Sequence, residues 1–302
     1  MLDLIDKQIL LDLTANCRST YRELSQKHGL TANAIKNRIK NLEKSGVIRE
    51  YIIRPSIAMA DCEIVYGLAK TDGAQDDVQM VKEIGEFPGI QAAAAYTGAV
   101  YYFFADYQET RDILNLRNHI RSIEGVGDIE IHTILRQKGG KMELTQYHCE
   151  VLETLSNNPR MSITELVERT SIAAKRARRV VREIEESNAI YFTIALKLGA
   201  GSDIPFILEI DTDIQKLNYD DIIRWLTDTY PIAFWDSYCS ALKPKIFALF
   251  AVDTLTELNG ITRTVREQAF ATSVKARVAT FHRYFPGFSG IAFQKRIEEG
   301  CK

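Results

Sequence analysis

The sequence predicts an α+β fold in which two winged helix-turn-helix domains alternate with two ferredoxin-like βαββαβ domains. Three observations predict it. Residues 6–52 align without a gap onto residues 148–194, at a constant offset of 142. Each copy carries a Ser/Thr-x-x-Glu capping box at the same place, Thr20 to Glu23 and Ser162 to Glu165. After each copy, segments with strand and helix periodicity follow in the order β, α, β, β, α, β. A chain of 302 residues with 46% apolar content has room for about two to four domains. The expected boundaries are 1–58 and 141–198 for the helix-turn-helix domains, 61–136 and 203–285 for the α+β domains, and 286–302 for a tail without a predicted element.

The elements of copy one follow in order. Asp6–Ala15 places Ile9, Leu10 and Leu13 on one helical face. Thr20 and Glu23 mark a second helix start, because each side chain satisfies a backbone amide that the first turn leaves unpaired. His28-Gly29-Leu30 makes a turn in which glycine accepts a positive φ. Thr31 caps a third helix running to about Lys44, Ser45-Gly46 ends it, and Val47–Ile53 reads as a strand. Copy two keeps the apolar positions in register: Leu10 with Leu152, Leu13 with Leu155, Leu24 with Leu166, Ile48 with Ile190. It departs at two positions, with Ser171 in the turn and Asn188 in place of Gly46.

Between the copies, Glu63–Ala69, Ile90–Tyr96, Val100–Tyr107 and Gly127–Leu135 read as strands. Asp76–Phe87 and Glu109–Ile123 read as amphipathic helices. After copy two, residues 204–285 give a looser version of the same order, and Gly199–Ser202 reads as a hinge. In such a layer one sheet face packs on its helices, which leaves the other for a partner sheet or a ligand.

The third helix of each copy carries the functional expectation. Opposite Ile35, Ile39 and Leu42 lie Asn33, Lys36, Asn37 and Lys40, with Thr31 and Arg38 alongside. In copy two the corresponding face offers Lys175, Arg178, Arg179 and Arg182, with Arg176 beside it. Lysine and arginine neutralise phosphates, and asparagine and arginine make bidentate contacts to base edges in the major groove. These residues are the expected contacts to double-stranded DNA, through recognition helices of the helix-turn-helix kind. The charge agrees by segment: residues 1–60 carry net +4 and 137–200 net +2, against -7 for 61–136 and -1 for 201–302. An overall net charge of -2 excludes a polyanion-binding surface spread over the whole chain.

Five scattered cysteines, Cys17, Cys62, Cys149, Cys239 and Cys301, form no CxxC pair, so neither a disulfide framework nor a zinc site is expected, and the setting fits a reducing cytoplasm. No apolar run reaches the roughly 18 residues of a membrane span. No phosphate loop, HExxH or catalytic triad pattern is present, and neither a metal nor a cofactor is expected.

Several segments resemble the Lrp/AsnC family of transcription regulators. They are Leu2 to Leu10, Glu23-Leu24-Ser25, Gly29-Leu30-Thr31, the run Arg38 to Ile48, and Tyr96-Thr97-Gly98 in the α+β domain. The resemblance implies a DNA-binding regulator that is not an enzyme and that dimerises through its α+β domains, with a homodimer as the expected state. It also implies a small-molecule effector site at the turn Tyr96, Thr97, Gly98 and Ala99. That turn departs from the Thr-Gly-Asp-Tyr common in the family, because Ala99 and Val100 replace the last two residues. The usual family chain is one module, so this one looks like a fused duplicate, with unlike half-sites expected for its two recognition faces. Sirohaem decarboxylases look similar in arrangement and form the rival enzymatic reading, with His132, His282, Arg283 and Tyr284 as its candidates. A third reading is an interaction module that no longer binds DNA.

Overall fold

A computed structural model describes residues 2–135, 138–197, 199–200, 203–213 and 215–300. Part of the expected hinge, Gly201 and Ser202, lies outside the described residues, as do Arg136 and Cys301. The chain forms two compact units, one of Leu2–Asp61, Lys138–Gly201 and Ser289–Lys302, the other of Cys62–Gln137 and Ser202–Phe288.

In the first unit, copy one is α1 (Leu4–Ala15), α2 (Tyr21–His28), α3 (Ala32–Lys44) and β1 (Ile48–Pro55). Copy two is α6 (Gln146–Ser156), α7 (Ile163–Arg169), α8 (Ala174–Glu186) and β6 (Ile190–Leu196). Each helix and strand of copy two starts 142 residues after its counterpart. Both predicted capping boxes form, Thr20 with Glu23 and Ser162 with Glu165. Gly29 ends α2 at a φ of 65°, left-handed, which lets the chain turn sharply into α3. At the turn into each strand, Gly46 sits at φ 76° and Asn188 at 53°. Asparagine is the residue after glycine that best tolerates this region, so the substitution keeps the turn. One cap differs. Thr31 caps α3 by accepting from the Ala34 amide, whereas Ala173 gives α8 no side-chain cap.

The strand after each third helix does not fold back on its own domain. β1 and β6 pair antiparallel with each other as a two-stranded ribbon. Tyr51 faces Ile194 and Ile52 faces Thr193. With the offset removed, Ile194 and Thr193 are the counterparts of 52 and 51, so each copy presents the same positions to the other. A pseudo-two-fold axis therefore passes through the middle of the ribbon.

The second unit contains β2 (Glu63–Thr71), α4 (Asp77–Ile84), β3 (Ile90–Tyr96), β4 (Val100–Tyr107), α5 (Thr110–Ser122) and β5 (Val126–Leu135). Its other half contains β7 (Ile204–Thr212), α9 (Tyr219–Thr229), β8 (Phe234–Ser240), β9 (Lys245–Val252), α10 (Leu255–Arg266) and β10 (Ala271–Tyr284). Each half has the ferredoxin-like strand order, and β3–β10 and β5–β8 pairing closes the eight strands into one barrel, β10-β3-β4-β2-β5-β8-β9-β7. Each half buries its helices on an apolar face of its own, Val65, Ala69, Tyr101 and Phe103 in one and Phe206, Leu208, Ile210 and Phe250 in the other. The alternate side chains turn inward and stack across the halves: Tyr66 lies 4.7 Å from Tyr238 and 4.8 Å from Phe247, ring centre to ring centre. The sheet face expected to meet a partner thus meets the other half of the same chain.

The tail, for which the sequence suggested no element, forms α11 (Gly287–Glu298). The Asp106 carboxylate accepts the Phe288 amide at 2.7 Å and satisfies one of its first-turn donors. Cys17, Cys62 and Cys239 are buried thiols, whereas Cys149 is disulfide-bonded, a pairing the scattered cysteines gave no reason to expect. Among the described residues, no helix is long and apolar enough to cross a membrane, and no cluster of side chains has metal-ligand character.

Candidate nucleic-acid interface

α3 buries Ile35, Ile39 and Leu42 and leaves Asn33, Lys36, Asn37 and Lys40 exposed in one stripe at spacings of three and four residues. α8 buries Ala177, Val180, Val181 and Ile184 and exposes Lys175, Arg178, Arg179 and Arg182 at the equivalent positions. The pairs are Asn33 with Lys175, Lys36 with Arg178, Asn37 with Arg179, and Lys40 with Arg182.

The expected contacts are not equally available. Arg38 turns toward α1 and bridges Asp3 at 2.8 Å and Asp6 at 2.7 Å. Those two carboxylates raise its pKa, and the Asp3 carboxylate also caps α1. Arg176 stacks on the Tyr147 ring, 4.3 Å from its centre, and hydrogen-bonds the Tyr147 hydroxyl. Arg179 makes an exposed i,i+4 pair with Glu183 at 3.2 Å, a geometry that solvent screens strongly. The Thr31 hydroxyl is used as the α3 cap. Asn33, Lys36, Asn37, Lys40, Lys175, Arg178 and Arg182 point to solvent.

What holds the two copies together was only half visible in the sequence. Arg18 and Arg160 occupy equivalent positions and reach across in opposite directions, Arg18 to the Pro159 carbonyl and Arg160 to the Ser19 carbonyl at 3.4 Å. Arg18 also pairs with Glu185 at 3.6 Å and lies 5.3 Å from the Phe192 ring centre. Arg160 sits between the Tyr21 and Tyr51 rings, at 5.3 and 5.2 Å. Arginine in both copies at one offset was the available signal; a partner in the other copy could not be read from it.

The turn expected to receive an effector lies at a barrel seam. Gly98 and Ala99 take φ of 84° and 55°. The Thr97 amide donates to the Val278 carbonyl at 2.9 Å, and its hydroxyl accepts the Val278 amide at 3.1 Å. Tyr96 is buried edge-on to Tyr102, ring centres 4.9 Å apart. The equivalent turn in the other half behaves alike, with the Ala241 amide donating to the Thr133 carbonyl at 2.8 Å. Deeper in, buried Glu209 accepts from the Tyr102 hydroxyl at 2.6 Å and from Arg277 at 2.9 Å, with Lys245 at 3.7 Å. Burial pushes this carboxyl up, but the hydrogen bonds from Tyr102 and Arg277 and the nearby cations outweigh burial and hold it below its ordinary value. His132 is buried between Ser240 at 3.0 Å and Glu130 at 3.4 Å. Desolvation lowers its pKa, Glu130 opposes that, and the charges of Lys245 and Lys243 add to it. His282 instead lies on β10 with its ring edge-on to Tyr284, and Arg283 lies over Phe285.

A family profile described as winged helix-turn-helix DNA-binding matches residues 2–49. An HTH-type transcriptional regulator of Pyrococcus furiosus is 25% identical over 137 residues, 44% of this chain and 92% of that one. One from Pyrococcus horikoshii is 51% identical over 57 residues, 18% of this chain and 37% of that one. Among solved structures, the sirohaem decarboxylase NirDL superposes with a TM-score of 0.56 at 14% identity, covering 98% of this chain and 99% of that one. At that identity the likeness is one of fold, and it extends over all four domains.

Proposed function

We propose that this chain is a transcription regulator of the Lrp/AsnC winged helix-turn-helix type and that it binds double-stranded DNA through α3 and α8, a reading supported by the profile match over residues 2–49 and by the regulator relatives. The observation that carries the reading is the α3 stripe. Asn33, Lys36, Asn37 and Lys40 are exposed together, follow a capped helix and a left-handed glycine turn, and lie within residues 2–49, which the winged helix-turn-helix profile matches. In the groove, Asn33 and Asn37 read base edges, while Lys36 and Lys40 neutralise phosphates. On α8, Lys175, Arg178, Arg179 and Arg182 extend the same contact to a second segment of duplex. Arg38 and Arg176 act as supports, because each is engaged within its own domain. The barrel serves as the body that joins the two modules, and the turn at Tyr96 to Ala99 serves as its seam. The chain acts by binding and not by catalysis.

The test is selection of bound sequences from random duplexes, followed by titration at several salt concentrations. Enrichment of a defined sequence, with affinity falling steeply as salt rises, is the expected result. Equal binding to every duplex would refute the regulator reading.

The whole-chain likeness to a sirohaem decarboxylase supports a second reading, an enzyme acting on a tetrapyrrole inside the barrel near His132. Against it, the rings of Tyr66, Tyr102, Tyr238 and Phe247 occupy the space between the sheets. A stable Soret band after incubation with an iron tetrapyrrole would favour the enzyme.

A further inference from the structure

We propose that a single chain reads a single operator made of two unlike half-sites in inverted orientation, one centred on adenine contacts and the other on guanine contacts. This rests on the DNA-binding reading above and adds stoichiometry, orientation and base preference to it.

Orientation comes from the ribbon. β1 and β6 run antiparallel and pair about one point, Tyr51 with Ile194 and Ile52 with Thr193. The pairing continues at both ends, where the Ser56 amide donates to the Ala189 carbonyl at 2.7 Å and the Lys197 amide to the Val47 carbonyl at 2.9 Å. Arg18 and Arg160 cross the same axis reciprocally. Two readers related by a two-fold axis meet the two strands of a duplex in opposite directions, so their half-sites form an inverted repeat and not a direct one.

Base preference comes from the four equivalent positions. Copy one presents amides at Asn33 and Asn37, and an amide both donates and accepts, as the N6 and N7 edge of adenine requires. Copy two presents Lys175 and Arg179 there, which only donate and so match the O6 and N7 acceptors of guanine. The flanking pairs, Lys36 with Arg178 and Lys40 with Arg182, stay cationic in both copies and supply phosphate contacts. A homodimer of identical modules cannot present this difference, whereas one chain with two copies does.

Stoichiometry comes from the seams. The β3–β10 and β5–β8 pairings close the barrel within one chain, and the ribbon is likewise internal. One chain therefore brings both readers.

The experiment is binding-site selection with the full chain, with the mass of the complex measured on the selected duplex. The expected site holds two different half-sites in inverted orientation, with one chain bound. Reversing one half-site to make a direct repeat should weaken binding by about tenfold or more, since it mismatches several base contacts at once. A variant carrying Lys175→Asn, Arg178→Lys, Arg179→Asn and Arg182→Lys, all at exposed positions, should select a perfect palindrome of the adenine half-site. Perfect palindromes from the natural chain, tolerance of the direct repeat, or two chains per site would overturn the inference while leaving DNA binding intact. A folded chain that enriches no sequence would overturn the DNA-binding reading itself, and this inference with it.

Discussion

Arg38 shows how a residue can satisfy a sequence pattern and still do something else. It lies in the run that resembles the family and beside the exposed stripe, yet its guanidinium is held by Asp3 and Asp6. Helical spacing places a side chain to within one face, but where a long flexible side chain ends depends on carboxylates some 30 positions earlier in the chain. Arg38→Ala should therefore change DNA affinity less than Lys36→Ala does, in the same salt titration. Lys36→Ala should weaken all sequences alike and reduce the slope of log affinity against log salt by about 1. Asn37→Ala should cost about 1–3 kcal/mol and relax the preference at one base pair, with the salt slope unchanged. A reversed pattern, with Lys36→Ala changing sequence preference and Asn37→Ala changing only the slope, would exchange their roles.

Helix and strand limits were legible because their signals are local. Capping boxes, the glycine turn and the apolar spacing each act within a few residues, and they recur at one offset. Thr20→Ala should lower stability by about 1 kcal/mol, read from denaturant midpoints, because it leaves first-turn amides of α2 unpaired. At the strand turns, Asn188→Gly should be neutral or mildly stabilising, while Gly46→Val should destabilise, since a β-branched residue at φ 76° is strained. Equal effects at the two positions would contradict the matched turn geometry. One missed element is α11, where glycines at 287 and 290 weaken the helix pattern, although Phe293 and Ile297 are buried four residues apart. The destination of β1 was not legible either. A strand's alternation records which face is covered, and the same alternation serves a hairpin, a neighbouring domain or another molecule.

For the molecule as a whole, the sequence pattern left the second face of each sheet for a partner sheet or a ligand, and could not say that the partner sheet lies further along the same chain. The barrel this produces carries a buried imidazole whose pKa is below its ordinary value of 6.5. The unfolded chain therefore takes up that proton first as the pH falls through about 6.5, and the stability present above that value is lost below it. Glu209, with a pKa lowered from 4.5, contributes stability that is lost at more acid pH, as the pH falls through its folded value. Melting temperature should thus drop between pH 7 and pH 5.5, and His132→Gln should flatten that drop while leaving the loss below pH 4 in place. An unchanged slope in the variant would remove His132 from this account. The internal seams have a last consequence that concerns dilution. Two separate modules must find one another, so their pairing fails when the cell holds too few. Here the second module is tethered to the first, and its local abundance does not depend on how many molecules are made. A handful of copies per cell would carry fully assembled readers, and occupancy of a site would rise with the first power of expression level rather than with its square.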